Sequence, residues 1–107
     1  MKRVIIESPF SGDRKRNIKY AQDCLRDSLL RGEAPFASHL LYTQVLDDKN
    51  PLDRYDGMNA GFCWFKSADL VAVYQDYGIS KGMFMGIALA RKLGIKVEYR
   101  NLEEVEE

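Results

Sequence analysis

Two loops carry the residues best suited to chemistry, and each follows an apolar run. Ser8-Pro9-Phe10-Ser11-Gly12-Asp13 follows Val4-Ile5-Ile6, and Asp76-Tyr77-Gly78-Ile79-Ser80-Lys81-Gly82-Met83 follows Leu70-Val71-Ala72-Val73-Tyr74. Glycines and hydroxyls thus sit where a strand hands over to a helix. Backbone N–H groups at such helix starts favour anions. In an open parallel sheet both loops open at the carboxyl ends of the strands, where small ligands bind. The pattern predicts a site assembled from distant segments for a phosphate- or ribose-bearing ligand. Neither loop has the spacing of a Walker loop or a GxGxxG fingerprint.

The individual side chains divide between function and plain structure. Arg14, Lys15 and Arg16 open the first helix, where cations oppose the helix dipole unless an anion lies over that end. A solvated basic turn is the plainer reading, and Ser11 and Asp13 serve equally well as caps. Ser80 is an N-cap candidate beside Lys81, and Gly82 permits close backbone approach. Gly82, Gly86 and Ala90 fall four apart. Glycine inside a helix costs about 1 kcal/mol relative to alanine, so Gly86 needs a positional reason. Close packing of helix on sheet is one, and clearance for a ligand is the other.

His39, the single histidine, follows a strand end on the site side, although a lone histidine more often packs than catalyses. Asp76, at a strand exit, is a better functional carboxylate than Asp69 at the strand's entrance, which reads as structural. Glu7 is unusual at the end of a buried strand and could reach the same crevice. Asp47, Asp48, Asp53 and Asp56 read as a solvated face and helix N-terminal charges. Phe10, Trp64 and Tyr77 have rings that could stack on a base, though such residues are more often core.

These residues must be held by elements legible in the pattern. Val4–Ile6 is a short continuous apolar run, the mark of a strand covered on both faces. Ile18, Ala21, Leu25, Ser28 and Leu29 recur at helical spacing, ended by Arg31 and Gly32. Ala34–Ala37 is a weak second strand, and residues 40–46 are a short helix or a packed loop. Asn50 caps the next helix, with Pro51 at its first position. That helix carries Leu52, Tyr55, Met58 or Asn59, Phe62 and Phe65 on one side. Leu70–Tyr74 is the strongest strand. A helix from about Ser80 to Leu93 follows, stopped by Gly94. In the last strand Ile95, Val97 and Tyr99 alternate with Lys96, Glu98 and Arg100, which places one face in water and the strand near a sheet edge. The tail 101–107 is acidic, a frayed turn or a partner-contacting arm. The order β-α-β-α-β-α-β predicts an α/β sandwich with a mostly parallel sheet.

Composition bounds the rest. A length of 107 residues fits a single domain, 1–107, with a real core. Sixteen basic and sixteen acidic side chains cancel, so no global field draws nucleic acid polymers or an anionic membrane. No run of about 18 apolar residues predicts a membrane span. The apolar part of the start is too short for a signal peptide. Cys24 and Cys63 lack metal-ligand spacing and read as reduced thiols in a cytoplasmic protein with no metal.

The combination resembles a known group. Ser8-Pro9-Phe10-Ser11-Gly12-Asp13 with Asn17 and Ala21, then Pro35-Phe36-Ala37-Ser38-His39-Leu40, are similar to the small nucleoside 2-deoxyribosyltransferase-like proteins of bacteria and bacteriophages. Leu46-Asp47-Asp48, Asn50-Pro51, Arg54, Gly57, Asp69, Gly78 to Met83 and Val97 to Arg100 extend the likeness over nearly the whole chain. The resemblance implies a three-layer Rossmann-like (flavodoxin-like) sandwich with a mostly parallel four- to five-stranded sheet. It implies no cofactor, a nucleoside or nucleotide pocket, and a homo-oligomer with shared sites. On that likeness the ligand-binding residues are Ser8, Pro9, Phe10, Ser11, Gly12, Asn17, His39, Asp76, Gly78, Ser80, Gly82, Met83 and Gly86. In the enzymes a glutamate on the last site-facing helix attacks the sugar's anomeric carbon, within Gly-Thr/Met-x-x-Glu. Read onto Gly82-Met83-Phe84-Met85, that position is Gly86.

Three readings follow. The first is a domain that binds, and sequesters, a nucleoside or nucleotide derivative with the nucleophile lost. The second is an active N-glycosidic hydrolase or transferase using another carboxylate, Asp76 or Glu7 or one from a neighbouring subunit's acidic tail. The third is a protein-interaction module with a vestigial pocket.

Overall fold

The computed structural model describes residues 1–47 and 49–102. Asp48 and the end of the acidic tail, 103–107, lie outside the described residues. The elements run β1 (Arg3–Glu7), α1 (Arg14–Leu30), β2 (Ala34–Phe36), α2 (Ser38–Leu41), α3 (Pro51–Cys63), β3 (Leu70–Tyr74), α4 (Lys81–Lys92) and β4 (Lys96–Arg100). Single 3-10 turns extend α2 over Tyr42–Gln44 and α3 over Trp64–Ser67. Residues 40–46, ambiguous in sequence, are therefore half helix and half tight turn.

The four strands form one parallel sheet in the order β2-β1-β3-β4. The two apolar runs are the two central strands: Val4–Ile6 and Leu70–Tyr74 are buried on both faces. Pro35 lies in an edge strand, where its missing N–H costs no ladder bond. Strand order reverses between β1 and β3, because the chain leaves β1 toward β2 and then crosses back. That switch point opens a crevice beyond the carboxyl ends of these two strands.

Side-chain parity sorts the core into two layers. Val4, Ile6, Leu70, Ala72 and Tyr74 pack against Tyr20 and Cys24 of α1. Ile5, Val71 and Val73 pack against Phe65 and against Met83, Ile87 and Ala90 of α4. Full burial of side chains such as Ile6 and Phe65 is worth about 1.5–3 kcal/mol each. Glu7 has the parity of Ile5, so its carboxyl faces α4.

The caps follow the sequence closely. Asp13 accepts from the Arg16 N–H at the start of α1, and Asn50 from the Leu52 N–H at the start of α3. Ser80 accepts from the Met83 N–H at the start of α4. Gly32 and Gly94 take positive φ, 81° and 73°, just beyond the ends of α1 and α4, a conformation glycine adopts without steric cost.

Two expectations are corrected. Leu52 and Tyr55 are 75% and 66% exposed, so α3 has no continuous apolar face. Only its end, through Phe62 and Phe65, packs on the sheet-facing core. The first half lines the crevice instead, with Asp53, Arg54, Gly57 and Met58. The second correction concerns Arg100, expected on the wet face of β4 but only 3% exposed. Its guanidinium forks onto both Glu33 oxygens at 2.9 and 2.7 Å and donates to Glu98 at 2.6 Å and to the Tyr74 hydroxyl at 3.1 Å. Tyr74 in turn donates to Asp27 at 2.6 Å. The cation is buried because this set of partners satisfies it.

Candidate functional site

The crevice at the switch point contains a cleft of about 180 Å³. Glu7, Ser8, Phe10 and Ser11 form one wall, from the end of β1 and its loop. Ser38, His39, Tyr42 and Thr43 come from α2 and its extension, and Ser80 to Met83 from the start of α4. The α3 residues named above close the remaining side, with Leu46 and Phe62.

The first loop is fixed from behind. Asn17, fully buried, donates to the carbonyls of Phe10 and Ser11, both at 3.0 Å. Arg16 holds the Asn17 side-chain oxygen at 3.2 and 3.1 Å through Nε and Nη2. Asn17 therefore shapes the loop from the protein side. Ser8 and His39 share a hydrogen bond at 2.7 Å between Oγ and Nε2, and the Phe10 ring meets the imidazole edge-on. Burial pushes the His39 pKa down to about 4, so the imidazole is neutral at physiological pH. Thr43 donates to the His39 carbonyl at 2.7 Å.

Glu7 is the outstanding group. Its carboxylate makes no hydrogen bond or ion pair among the described residues, and burial alone pushes its pKa up to about 8. The space it occupies is the space a side chain at position 86 would claim. A Cβ built on Gly86 would lie 2.5 Å from Glu7 Oε2, 2.7 Å from Cδ and 3.1 Å from Oε1. The positional reason for Gly86 is thus neither packing on the sheet alone nor an empty gap. The glycine is a notch in α4 that receives a carboxyl group from β1.

The other sequence-predicted residues divide clearly. Ser8, Phe10, Ser11, His39, Ser80, Gly82 and Met83 converge on the cleft with Glu7. Pro9 is buried beside them, and Gly86 lies behind Glu7. Gly12 lines a separate shallow depression with Arg14, Lys49 and Arg54. Asp76 lies elsewhere: it accepts from the Tyr20 hydroxyl and from the Leu102 N–H at 2.9 Å, while its own N–H donates to Tyr20 at 2.9 Å. Asp76 and Tyr77 border a groove on the α1 face of the sheet, with Arg16 stacked 4.1 Å over the Tyr77 ring. Gly78, at a φ of 84°, makes the turn that separates this groove from the cleft.

Sequence reasoning missed Tyr42, Thr43, Asp53, Arg54, Met58 and Lys81 as cleft residues. Asp53 reads as a helix N-terminal charge and Arg54 enters only through the family resemblance, and the placement of α3 over the crevice brings both in. Among the described residues no cluster of His, Cys, Asp and Glu could hold a metal ion. No described helix is long and apolar enough to cross a membrane.

Two expected results follow from Glu7 and its notch. Gly86→Ala places a methyl against a flexible side-chain end, so Glu7 moves and the backbone does not. Removing a helical glycine gains up to about 1 kcal/mol. The unfolding free energy in urea should stay within about 1 kcal/mol of wild type while the Glu7 carboxyl, followed by NMR, titrates closer to its ordinary range.

The second result is a pH dependence of stability. Glu7, raised from 4.5 to about 8, contributes stability that is complete below its unfolded value and lost as pH rises through about 8. His39, lowered from 6.5 to about 4, acts oppositely: its contribution is lost as pH falls from 6.5 toward 4. Between the two ordinary values the effects oppose each other. Above pH 6.5 only Glu7 remains, so stability should fall by about 1–2 kcal/mol between pH 6.5 and 8. The decline should vanish in Glu7→Gln, as urea unfolding at the two pH values would show.

The fold is an α/β class with a four-stranded parallel sheet flanked by helices, and solved structures share it. A 2-deoxyribosyltransferase from the psychrotolerant bacterium Bacillus psychrosaccharolyticus aligns with a TM-score of 0.65 and 17% identity, over 98% of this chain and 77% of its own. The Clostridium botulinum CMP N-glycosidase BcmB aligns with a TM-score of 0.56 and 17% identity, over 99% and 74%. No curated protein matches the sequence. The chain belongs to the family described as a domain of unknown function, DUF7768, whose model matches residues 2–100.

Proposed function

We propose that the cleft binds a nucleoside or nucleotide and that Glu7 supplies the carboxylate for breaking its N-glycosidic bond. The observation that carries this reading is the unpartnered Glu7 carboxyl seated in the Gly86 notch. The resemblance places the enzymes' glutamate at position 86, and here a carboxyl reaches that place from β1. A desolvated carboxylate with a pKa near neutrality is the group such chemistry needs, because it acts as a strong base or nucleophile once ionised. The fold is shared with a deoxyribosyltransferase and a CMP N-glycosidase, which favours this substrate class over other small ligands.

The lining suits the ligand. Phe10, Tyr42, Met58 and Phe62 offer apolar surface for a base, and Ser8, Ser38, Thr43 and Asp53 offer partners for sugar hydroxyls. The loop and helix-start residues Ser11 and Ser80 to Met83 bind from either side. Leu52 and Tyr55, exposed on α3, are the apolar surface that a homo-oligomer would cover.

The test combines thermal shift with chromatography on a panel of ribo- and deoxyribonucleosides and their 5′-monophosphates. A ligand at a hundred times its Kd adds about 2.7 kcal/mol of stability. At about 4–8 °C per kcal/mol, Tm should rise by about 10 °C or more. A shift with release of free base is the expected result. A shift without base release would point to sequestration, and no shift with any compound would favour a protein-interaction module.

A further inference from the structure

Resting on the N-glycosidic reading of the cleft, we propose that its substrate carries a phosphate monoester on the sugar, held by Arg14, Lys49 and Arg54 in the adjoining depression. The protein then selects nucleotides over nucleosides. Continuity and charge carry the inference. The depression is lined by Ser11, Gly12, Arg14, Lys49, Pro51 and Arg54. Ser11 and Arg54 also line the cleft. The two hollows therefore share a rim, and a single ligand can occupy both.

Three cations meet there from separate parts of the chain. Arg14 opens α1, Lys49 lies in the turn before α3, and Arg54 belongs to the first turn of α3. No carboxylate of the described residues lines the depression. Asp13 is engaged as the α1 cap, accepting from the Arg16 N–H at 3.1 Å, and Asp53 accepts from the Asp47 N–H at 2.9 Å. The Lys49 and Arg54 side chains make no hydrogen bond or ion pair among the described residues. Arg14 stands 5.2 Å from the centroid of the Phe10 ring, which ties it to a wall of the cleft. Gathered cations repel one another, and Arg14 also opposes the dipole of α1, whose first turn holds no acidic residue. A phosphate seated among them converts these repulsions into attraction, and guanidinium groups match its oxygens in geometry. Gly12, at a φ of 98°, has open space where a Cβ would stand, so the loop leaves room for the anion.

The depression also orients the substrate. Glu7 lines the cleft and not the depression. The phosphate thus sits among cations, away from a carboxylate that would repel it once ionised. With the phosphate in that place the sugar crosses the shared rim at Ser11 and Arg54. Its glycosidic bond then points into the cleft toward Glu7, and the base meets Tyr42, Met58 and Phe62.

Calorimetry on the full chain carrying Glu7→Gln measures binding without consuming the ligand. The probes are deoxyadenosine, deoxycytidine and their 5′- and 3′-monophosphates, at one ionic strength. One monophosphate series should bind at least about tenfold more tightly than the nucleosides, as charge-assisted hydrogen bonds provide. The two series report which hydroxyl carries the phosphate. Adding Lys49→Gln should reduce that preference about tenfold. Adding Lys96→Gln, an exposed cation at the start of β4, should leave it intact. Base release by the wild-type chain is followed separately on the same compounds. Equal affinity for nucleosides and both monophosphates, or a preference unmoved by Lys49→Gln, would overturn the inference; base release would still uphold the N-glycosidic reading. An equal loss with Lys96→Gln, the mark of general charge attraction, would overturn it too. A Lys49-dependent preference without base release would uphold the phosphate site and overturn the N-glycosidic reading. No binding of any compound would overturn both.

Discussion

Glu7→Gln is expected to lower base release by about 10²–10⁴-fold, the range associated with loss of a positioned acid or base. Glutamine preserves the shape that fills the Gly86 notch and removes only the ability to take a proton. Ligand-induced thermal shifts should therefore persist. The pH profile sharpens the result. Charged and titratable groups lining the Glu7 cleft come from α2 and its extension (His39 and Tyr42), α3 (Asp53 and Arg54) and α4 (Lys81). His39 is neutral above pH 6.5, so Glu7 is the group whose ionisation changes near pH 8. A general base must be ionised, so kcat/KM for base release should rise with pH through about 8. A profile falling through that range would make Glu7 an acid instead. Asp76→Asn is the matched control, because Asp76 bonds to Tyr20 and Leu102 on the other side of the sheet, and base release should be retained.

The largest loss of stability is expected from Arg100→Met. The substitution removes the fork onto Glu33 and the bonds to Glu98 and Tyr74. It leaves the Glu33 carboxylate, 12% exposed, with the Ser28 hydroxyl, which donates to it at 2.7 Å, as its remaining hydrogen-bond donor among the described residues. Breaking one side of a buried ion pair typically costs about 3–5 kcal/mol. For a domain of this size Tm should fall by about 15 °C or more. Arg3→Met, by contrast, breaks a pair with Asp69 whose side chains are 67% and 43% exposed. Its cost should be within about 1 kcal/mol. Chemical unfolding of both variants distinguishes a network that fixes β4 to the turn before β2 from surface charge in general.

The legible and illegible parts of the molecule differ for physical reasons. β1 and β3 were readable because strands buried on both faces are apolar without interruption. The ends of α1 and α4 were readable because caps and terminal glycines are local. The buried Arg100 was not, since the alternation of β4 is compatible with water or with a carboxylate arriving from 67 residues away. The α3 stripe misled because helical periodicity does not reveal where a helix overhangs its sheet. The pairing of Glu7 with Gly86 lay within reach: strand parity puts Glu7 on the face of Ile5, and a helical glycine one turn inside the site needed a filler. Their contact is tertiary, so neither residue announces it alone. Both loops leave the ends of strands, but Asp76 and Tyr77 border the groove on the other face while Ser80 to Met83 line the cleft.

The central claim is that the Glu7 carboxyl is a desolvated group facing a nucleoside cleft. Carbon-13 NMR of glutamate side-chain carboxyls tests it directly, with Glu7→Gln assigning the signal. One carboxyl should titrate near pH 8, disappear in the variant, and shift when the cleaved nucleoside or nucleotide is added. A Glu7 signal titrating in the ordinary carboxylate range and indifferent to every such compound would contradict the account.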